Sequence, residues 1–238
     1  MPLGRVSGNL GGVAEIIRER DPHALDVAVK LLRSGELVAY PTDTVYGLGA
    51  AALDDGAVRK LFAVKGRAPS KAMPLLIADS KMASWVAEVT PVAHHLMEAM
   101  WPGALTIVMR RAETFRSLAL AGGDTVGLRV PDYDFVRDMI ATLGEPIVGT
   151  SANRAGNRAP VSAAEAAFQL GEMVPLVIDG GRMKGSASTV IDITRTGGPV
   201  ILRPGAVSRE AIERALVGAP GSVKVTVETG NEKGDMGD

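Results

Sequence analysis

The chain has no cysteine among its 238 residues. Disulfides, thiolate zinc sites and cysteine nucleophiles are therefore excluded. The absence is compatible with the cytoplasm, which is the expected compartment. Histidine is nearly absent too: His23, His94 and His95 have no zinc-site spacing, and the adjacent pair would face different sides of a helix. The formal net charge is -1, so no global field draws in nucleic acid, and a basic patch would have to be local. No apolar run reaches membrane-spanning length, and the Gly-rich residues 1–12 lack the apolar region of a signal peptide. Standard nucleotide and hydrolase signatures are missing. There is no Gly-x4-Gly-Lys-[Ser/Thr] loop, no Gly-x-Gly-x-x-Gly after a strand, and no Gly-x-Ser-x-Gly elbow. The run Gly180-Gly-Arg-Met-Lys-Gly-Ser186 imitates a phosphate loop, but no Lys follows Gly185.

What is present describes a globular domain. Hydrophobic residues make up 46% and charged residues 22%, and 28 glycines promise many tight turns. Residues 1–20 read as a flexible arm with a short helical turn at Ala14-Glu-Ile-Ile17. Residues 21–218 read as one domain, and 219–238 as a partly disordered tail in which Val223, Val225 and Val227 alternate like a short edge strand. Asp21, Pro22 and Gly35 punctuate a first helix with Leu25, Ala28, Val29 and Leu32 on one face. Further helices are expected over 54–65, 79–88, from Thr90-Pro91 to Met100, around Val136 to Leu143, after the Ser162/Glu165 capping pair, and after Ser208. Strands are expected over 37–40, 73–78, 105–109, 125–130, 146–149, 176–178, 189–193 and 200–202. Alternating strands and helices of this kind predict an α/β fold.

The chain is organised around Glu36-Leu-Val-Ala-Tyr-Pro-Thr-Asp-Thr-Val-Tyr-Gly-Leu-Gly49. It opens as a buried strand that Pro41 should end. Thr42, Asp43 and Thr44 then put two hydroxyls and a carboxylate beside a strand end. Gly47 and Gly49 would let the backbone turn or approach a ligand. Other expected strands also end in polar or cationic groups: Thr106, Arg129, Ser151/Asn153 and Arg203. Lys65, Arg67 and Lys71 form a basic loop. Any one of these by itself reads more readily as a surface charge or a turn. Their repetition is what points to a site, because parallel strands deliver their carboxyl ends to one edge, and several cations with hydroxyls suit an anionic ligand. The Gly/Ser-rich loop over 180–187 reads as a lid or as an ordinary loop.

At this point the residues carry a family likeness. The segments Tyr40-Pro-Thr-Asp-Thr-Val-Tyr-Gly-Leu48, Lys65-Gly-Arg67, Trp101-Pro-Gly-Ala-Leu-Thr106, Gly127-Leu-Arg-Val-Pro131, Thr150-Ser-Ala-Asn153, Ser188-Thr-Val190 and Leu202-Arg-Pro-Gly205 occur in order. The chain resembles the YrdC-type threonylcarbamoyladenylate synthases, in their short, single-domain form. The resemblance implies a twisted, open, mixed α/β sheet with flanking helices and a deep basic cavity. It implies that L-threonine, bicarbonate and ATP (with Mg2+) become threonylcarbamoyl-AMP and pyrophosphate, for a separate transferase that modifies tRNA. By position it implies ATP contacts at Lys65, Arg67, Ser151, Asn153 and Arg203. It implies threonine contacts at Thr44 or Thr42, Thr106, Arg129 and Ser188. No catalytic nucleophile or protein metal site is implied. Longer members carry a His where this chain has Ala78, and a second domain. An RNA-binding module of the same fold without chemistry is the competing reading.

Overall fold

The structure is a computed structural model, and it describes residues 14–219 and 225–228. Among these residues eleven strands form one open mixed sheet in the order β1-β8-β2-β3-β7-β4-β6-β5-β9-β10-β11. In chain order they are β1 Glu15–Arg18, β2 Val38–Tyr40, β3 Gly47–Ala51, β4 Leu75–Leu76, β5 Leu105–Arg110 and β6 Thr125–Arg129. They continue with β7 Ile147–Ser151, β8 Leu176–Asp179, β9 Thr189–Asp192, β10 Val200–Arg203 and β11 Thr226–Val227. The helices are α1 Ala24–Arg33, α2 Asp55–Lys65, α3 Ser80–Val86, α4 Pro91–Met100, α5 Asp134–Leu143, α6 Ala163–Leu170 and α7 Arg209–Ala215.

The apolar run before Pro41 is explained by burial on both faces. Side chains alternate across a strand. Val38 and Tyr40 join a core with Ala28, Val29 and Leu32 of α1 and with Val136, Met139 and Ile140 of α5. Leu37 and Ala39 join the other core, to which α2, α3, α4, α6 and α7 contribute. A strand covered on both sides has no polar positions to alternate.

Helix ends follow local chemistry. The side chains of Asp54, Asp79, Thr90, Ser162 and Ser208 accept backbone N–H bonds at the starts of α2, α3, α4, α6 and α7. Gly66 and Gly144 end α2 and α5 in the left-handed region, with φ of 63° and 88°. The capping pair before α6 differs in one bond. Glu165 Oε2 accepts from Val161 N rather than from the N–H of Ser162. Helix α1 starts at Ala24, later than Pro22 suggested, and Asp21 Oδ1 accepts from the N–H of His23 in the turn before it.

Several expectations are corrected. Residues 15–18 are not a helical turn but a strand parallel to β8, with Ile17 level with Ile178. Residues 1–13 of the expected arm lie outside the described residues, as do Val223 and residues 229–238 of the expected tail. Within that tail, β11 pairs with β10 at the sheet edge but holds only Val227 of the expected valine alternation, while Val225 lies before it and is fully buried. Strand β4 is two residues long, not six. Beyond it, Met73 and Ile77 donate to Ala119 and Arg129 outside the ladder. Finally, β3 was not foreseen. Gly47 and Gly49 sit in a strand antiparallel to β2, where an added Cβ would stand 2.6 and 2.7 Å from the Tyr40 ring. These glycines make room for a buried tyrosine, not for a turn or a ligand.

Candidate functional site

Of the nine polar or charged residues buried among the described residues, seven were singled out from the sequence: Thr42, Thr44, Lys65, Thr106, Arg129, Asn153 and Ser188. Buried polar groups need partners, so their bonds define the site.

The loop between β2 and β3 holds the first group. Thr42 Oγ1 donates to Val45 O at 2.7 Å and accepts from the N–H of Thr44 and Val45 at 3.1 and 3.3 Å. A hydroxyl has one proton, so the 2.8 Å bond between the two hydroxyls is donated by Thr44. Thr44 Oγ1 in turn accepts from Arg129 Nη1 at 3.2 Å. Arg129, at the end of β6, also donates from Nη2 to Asp43 Oδ1 and from Nε to Gly103 O at 2.8 Å. Burial pushes the Arg129 guanidinium below its usual range, and the Asp43 carboxylate pulls it back up.

A second group lies beside it. Thr106 Oγ1 and Ser188 Oγ are 3.0 Å apart. Arg203 Nη2 donates to Ser188 O at 2.9 Å and to its Oγ at 3.1 Å. The charge of Arg203 also lowers the proton affinity of Arg129, which places the two groups within electrostatic reach. Parallel carboxyl ends do not explain the gathering, which is a correction to the sequence argument. Thr106 and Ser188 stand at the starts of the parallel strands β5 and β9, while Arg129 and Arg203 end the antiparallel neighbours β6 and β10. Starts of one direction and ends of the other share an edge.

The third group is at the C-terminus of α2. Lys65 is 1% exposed, and its Nζ donates to Ser151 O at 2.8 Å, Asn153 Oδ1 at 3.2 Å and Ser151 Oγ at 3.4 Å. Asn153 is fixed from its other end by Nδ2 bonds to Arg154 O and Asn157 O. Arg67 stands apart from this group in its hydrogen bonding. Its Nη2 donates to Ala72 O at 3.1 Å, its Nε is buried without a partner, and it lines a groove of about 1020 Å³ with Arg59, Phe62, Arg116 and Leu118.

Two contributors were given no role from the sequence. Asp43 was noted with its neighbours but not assigned, and its position between two assigned threonines was the available signal. Tyr46 donates to Gly181 O at 2.8 Å and accepts from Gly180 N at 3.2 Å, and Gly185 N donates to Thr44 O at 2.9 Å. The loop over 180–187 is thus tied across the Thr42–Thr44 turn.

Among the described residues no helix is long and apolar enough to cross a membrane, and no three acidic or histidine groups form a metal cluster.

Known proteins are similar to this chain in sequence and in fold. The chain is 38% identical over 203 residues to the threonylcarbamoyl-AMP synthase of Pyrococcus abyssi, covering 84% of this chain and 59% of that protein. It is 36% identical over 224 residues to the threonylcarbamoyl-AMP synthase of Bacillus subtilis, covering 93% of this chain and 64% of that one. The chain therefore spans about three fifths of the length of these two relatives. The crystal structure of P. abyssi Sua5 complexed with L-threonine superposes with a TM-score of 0.79 at 37% identity, over 90% of this chain and 61% of that one. A family model described as Sua5/YciO/YrdC, telomere recombination, matches residues 30–205. With that match over most of its length, and with relatives this similar, the chain belongs to the Sua5/YciO/YrdC family.

Proposed function

We propose that this chain is an L-threonylcarbamoyladenylate synthase, a nucleotidyltransferase that joins L-threonine, bicarbonate and ATP and releases pyrophosphate. The observation that carries the reading is a buried guanidinium bonded to a hydroxyl, Arg129 with Thr44, together with the paired hydroxyls of Thr106 and Ser188 and a second cation, Arg203, that bonds Ser188 and lies within electrostatic reach of Arg129. Such a site suits a small hydroxylated carboxylate. The names of the relatives above and the threonine bound to P. abyssi Sua5 support the same choice of substrate.

In this reading Arg129 holds the threonine carboxylate, and Thr106 and Ser188 face the rest of the amino acid. Thr42 and Thr44 support Arg129 rather than donate to the substrate, because both protons are already given within the loop. Lys65, Arg67, Ser151, Asn153 and Arg203 take the nucleotide. The Lys65 ammonium already has acceptors, so a phosphate oxygen would replace the longest of them, Ser151 Oγ at 3.4 Å. The threonine ammonium gives up a proton to solvent, and the free amine then takes up the carbon of bicarbonate to give a carbamate, with loss of water. A carbamate oxygen then attacks the α-phosphorus, and pyrophosphate leaves. No covalent enzyme intermediate is needed, so the chain's work is positioning and neutralising charge. Mg2+ would be held by the ATP polyphosphate itself and would shield the charge of the departing pyrophosphate. The product then passes to a separate tRNA-modifying transferase in the cytoplasm.

Pyrophosphate release, measured with threonine, bicarbonate and ATP each omitted in turn, tests the reading. Release is expected only with all three. Orthophosphate in place of pyrophosphate would overturn the adenylate chemistry.

A further inference from the structure

A zwitterion poses a problem for the site as described. Every residue assigned above to threonine or ATP is neutral or cationic. At neutral pH an α-amino acid brings an ammonium as well as a carboxylate. With its carboxylate on Arg129, that ammonium lies one carbon away and within the field of both Arg129 and Arg203. The repulsion between like charges strengthens as the site excludes water. A carboxylate is needed beside Arg129, and the structure supplies one: Asp43, whose Oδ1 accepts from Arg129 Nη2.

We propose that Asp43 is a specificity-determining residue that receives the α-ammonium of the amino acid whose carboxylate binds Arg129. The proposal rests on the threonine reading given above. Three features carry it. First, the Arg129 side chain is 7% exposed and the Asp43 side chain 13%, so the pair is sheltered but Asp43 keeps a side toward solvent. Second, a guanidinium has five N–H groups, and the bonds to Gly103, Thr44 and Asp43 use three. Two remain for an incoming carboxylate, one on each terminal nitrogen, which is the fork that binds carboxylates in pairs of bonds. Third, Asp43 sits in a loop that cannot easily turn it elsewhere, because Thr42 Oγ1 holds the N–H of both Thr44 and Val45. A carboxylate and an ammonium on one carbon therefore meet a guanidinium and a carboxylate already bonded to each other. A ligand without the ammonium would gain the first interaction and not the second.

Calorimetric titration of L-threonine and (R)-3-hydroxybutanoate, which is threonine without its ammonium, tests the assignment. The wild-type protein is expected to prefer threonine by on the order of ten- to hundredfold, the scale of a hydrogen bond between charged groups. Asp43→Asn should weaken threonine by a similar factor, leave 3-hydroxybutanoate unchanged or tighter, and so collapse the preference. Asp43→Glu, which keeps the charge, should restore part of it, and thermal melts would show that each variant is folded. Equal binding of the two ligands by the wild type, or equal weakening of both in Asp43→Asn, would remove the ammonium role and leave Asp43 as a support for Arg129. Failure of the folded wild-type protein to bind threonine at all would overturn the substrate reading itself, and the proposal with it.

Discussion

The single proton of the Thr42 hydroxyl is already committed to Val45 O, and its oxygen organises two backbone N–H groups and the Thr44 hydroxyl. That makes Thr42 a support of the loop. Thr42→Ala removes the centre of this network and leaves buried backbone groups without partners, which should cost about 1–3 kcal/mol of unfolding free energy. Thr42→Ser keeps the hydroxyl and should restore most of it. Denaturant titration of the two variants, with threonine binding measured alongside, checks this. Unchanged stability in Thr42→Ala together with lost threonine binding would mean that the hydroxyl touches the ligand directly. Lys65 uses its donors in the same way: its buried Nζ donates to Ser151 and Asn153, and losing either acceptor would weaken the pairing of a buried polar group.

Elements set the site by how closely they approach. The turn after β10 lies against the residues before β9. A Cβ added to Gly205 would stand 2.5 Å from Ala187 O and 2.6 Å from Ser188 O, both backbone atoms that cannot swing aside. Ala206 N is bonded to that same Ala187 O at 2.9 Å. Gly205→Ala should therefore push the segment carrying Ser188 away from Thr106 and Arg203, with a stability loss of about 1–3 kcal/mol typical of overpacking. Threonine affinity should fall with it. A Gly205→Ala protein with wild-type melting behaviour and threonine affinity would show that the two segments separate freely. The β2–β3 pair obeys the same rule, since Gly47 and Gly49 allow the Tyr40 ring to lie flat over the strand.

At the scale of the molecule, burial on both sheet faces leaves its mark on the tyrosines. All three hold their protons more tightly than a free phenol. Burial raises Tyr40 and Tyr133, with the Glu19 carboxylate adding to it at Tyr133, and burial pushes Tyr46 up to about 12. Above the free-phenol value of about 10, the folded protein keeps protons that the unfolded chain releases. The stability from these groups is thus fully present below that pH and is lost as pH rises through about 12 for Tyr46, and higher for the other two. Unfolding midpoints and tyrosinate absorbance followed together against pH check this. Tyrosinate appearing near the free-phenol value in a protein that stays folded would contradict it. Val225 belongs to this scale too: it is fully buried and precedes β11, so the described part of the tail contributes to the core and is not mere decoration.

The sequence by itself determined most of the elements and the choice of buried polar residues. Caps, helix-ending glycines and apolar runs act over a few residues, and their energies depend on neighbours in the chain. That is why α2, α4, α5 and α7 stand close to where their punctuation put them. The motif residues were legible for another reason: Thr44, Lys65, Arg129 and Asn153 recur at the ends of expected strands and helices, in segments that follow one family's order. The tertiary structure decided what pairs with what. Whether Glu15–Arg18 is a strand depends on β8, more than a hundred residues away, which no local pattern reports. Whether Gly47 is a turn or a strand depends on the Tyr40 ring across the ladder. The directions of β5, β6, β9 and β10 decide that strand starts and strand ends share an edge, and so bring Thr106, Arg129, Ser188 and Arg203 together. Asp43 became part of the site through its bond to Arg129, 86 positions along the chain, because charge pairing depends on distance in space and the sequence shows only distance along the chain.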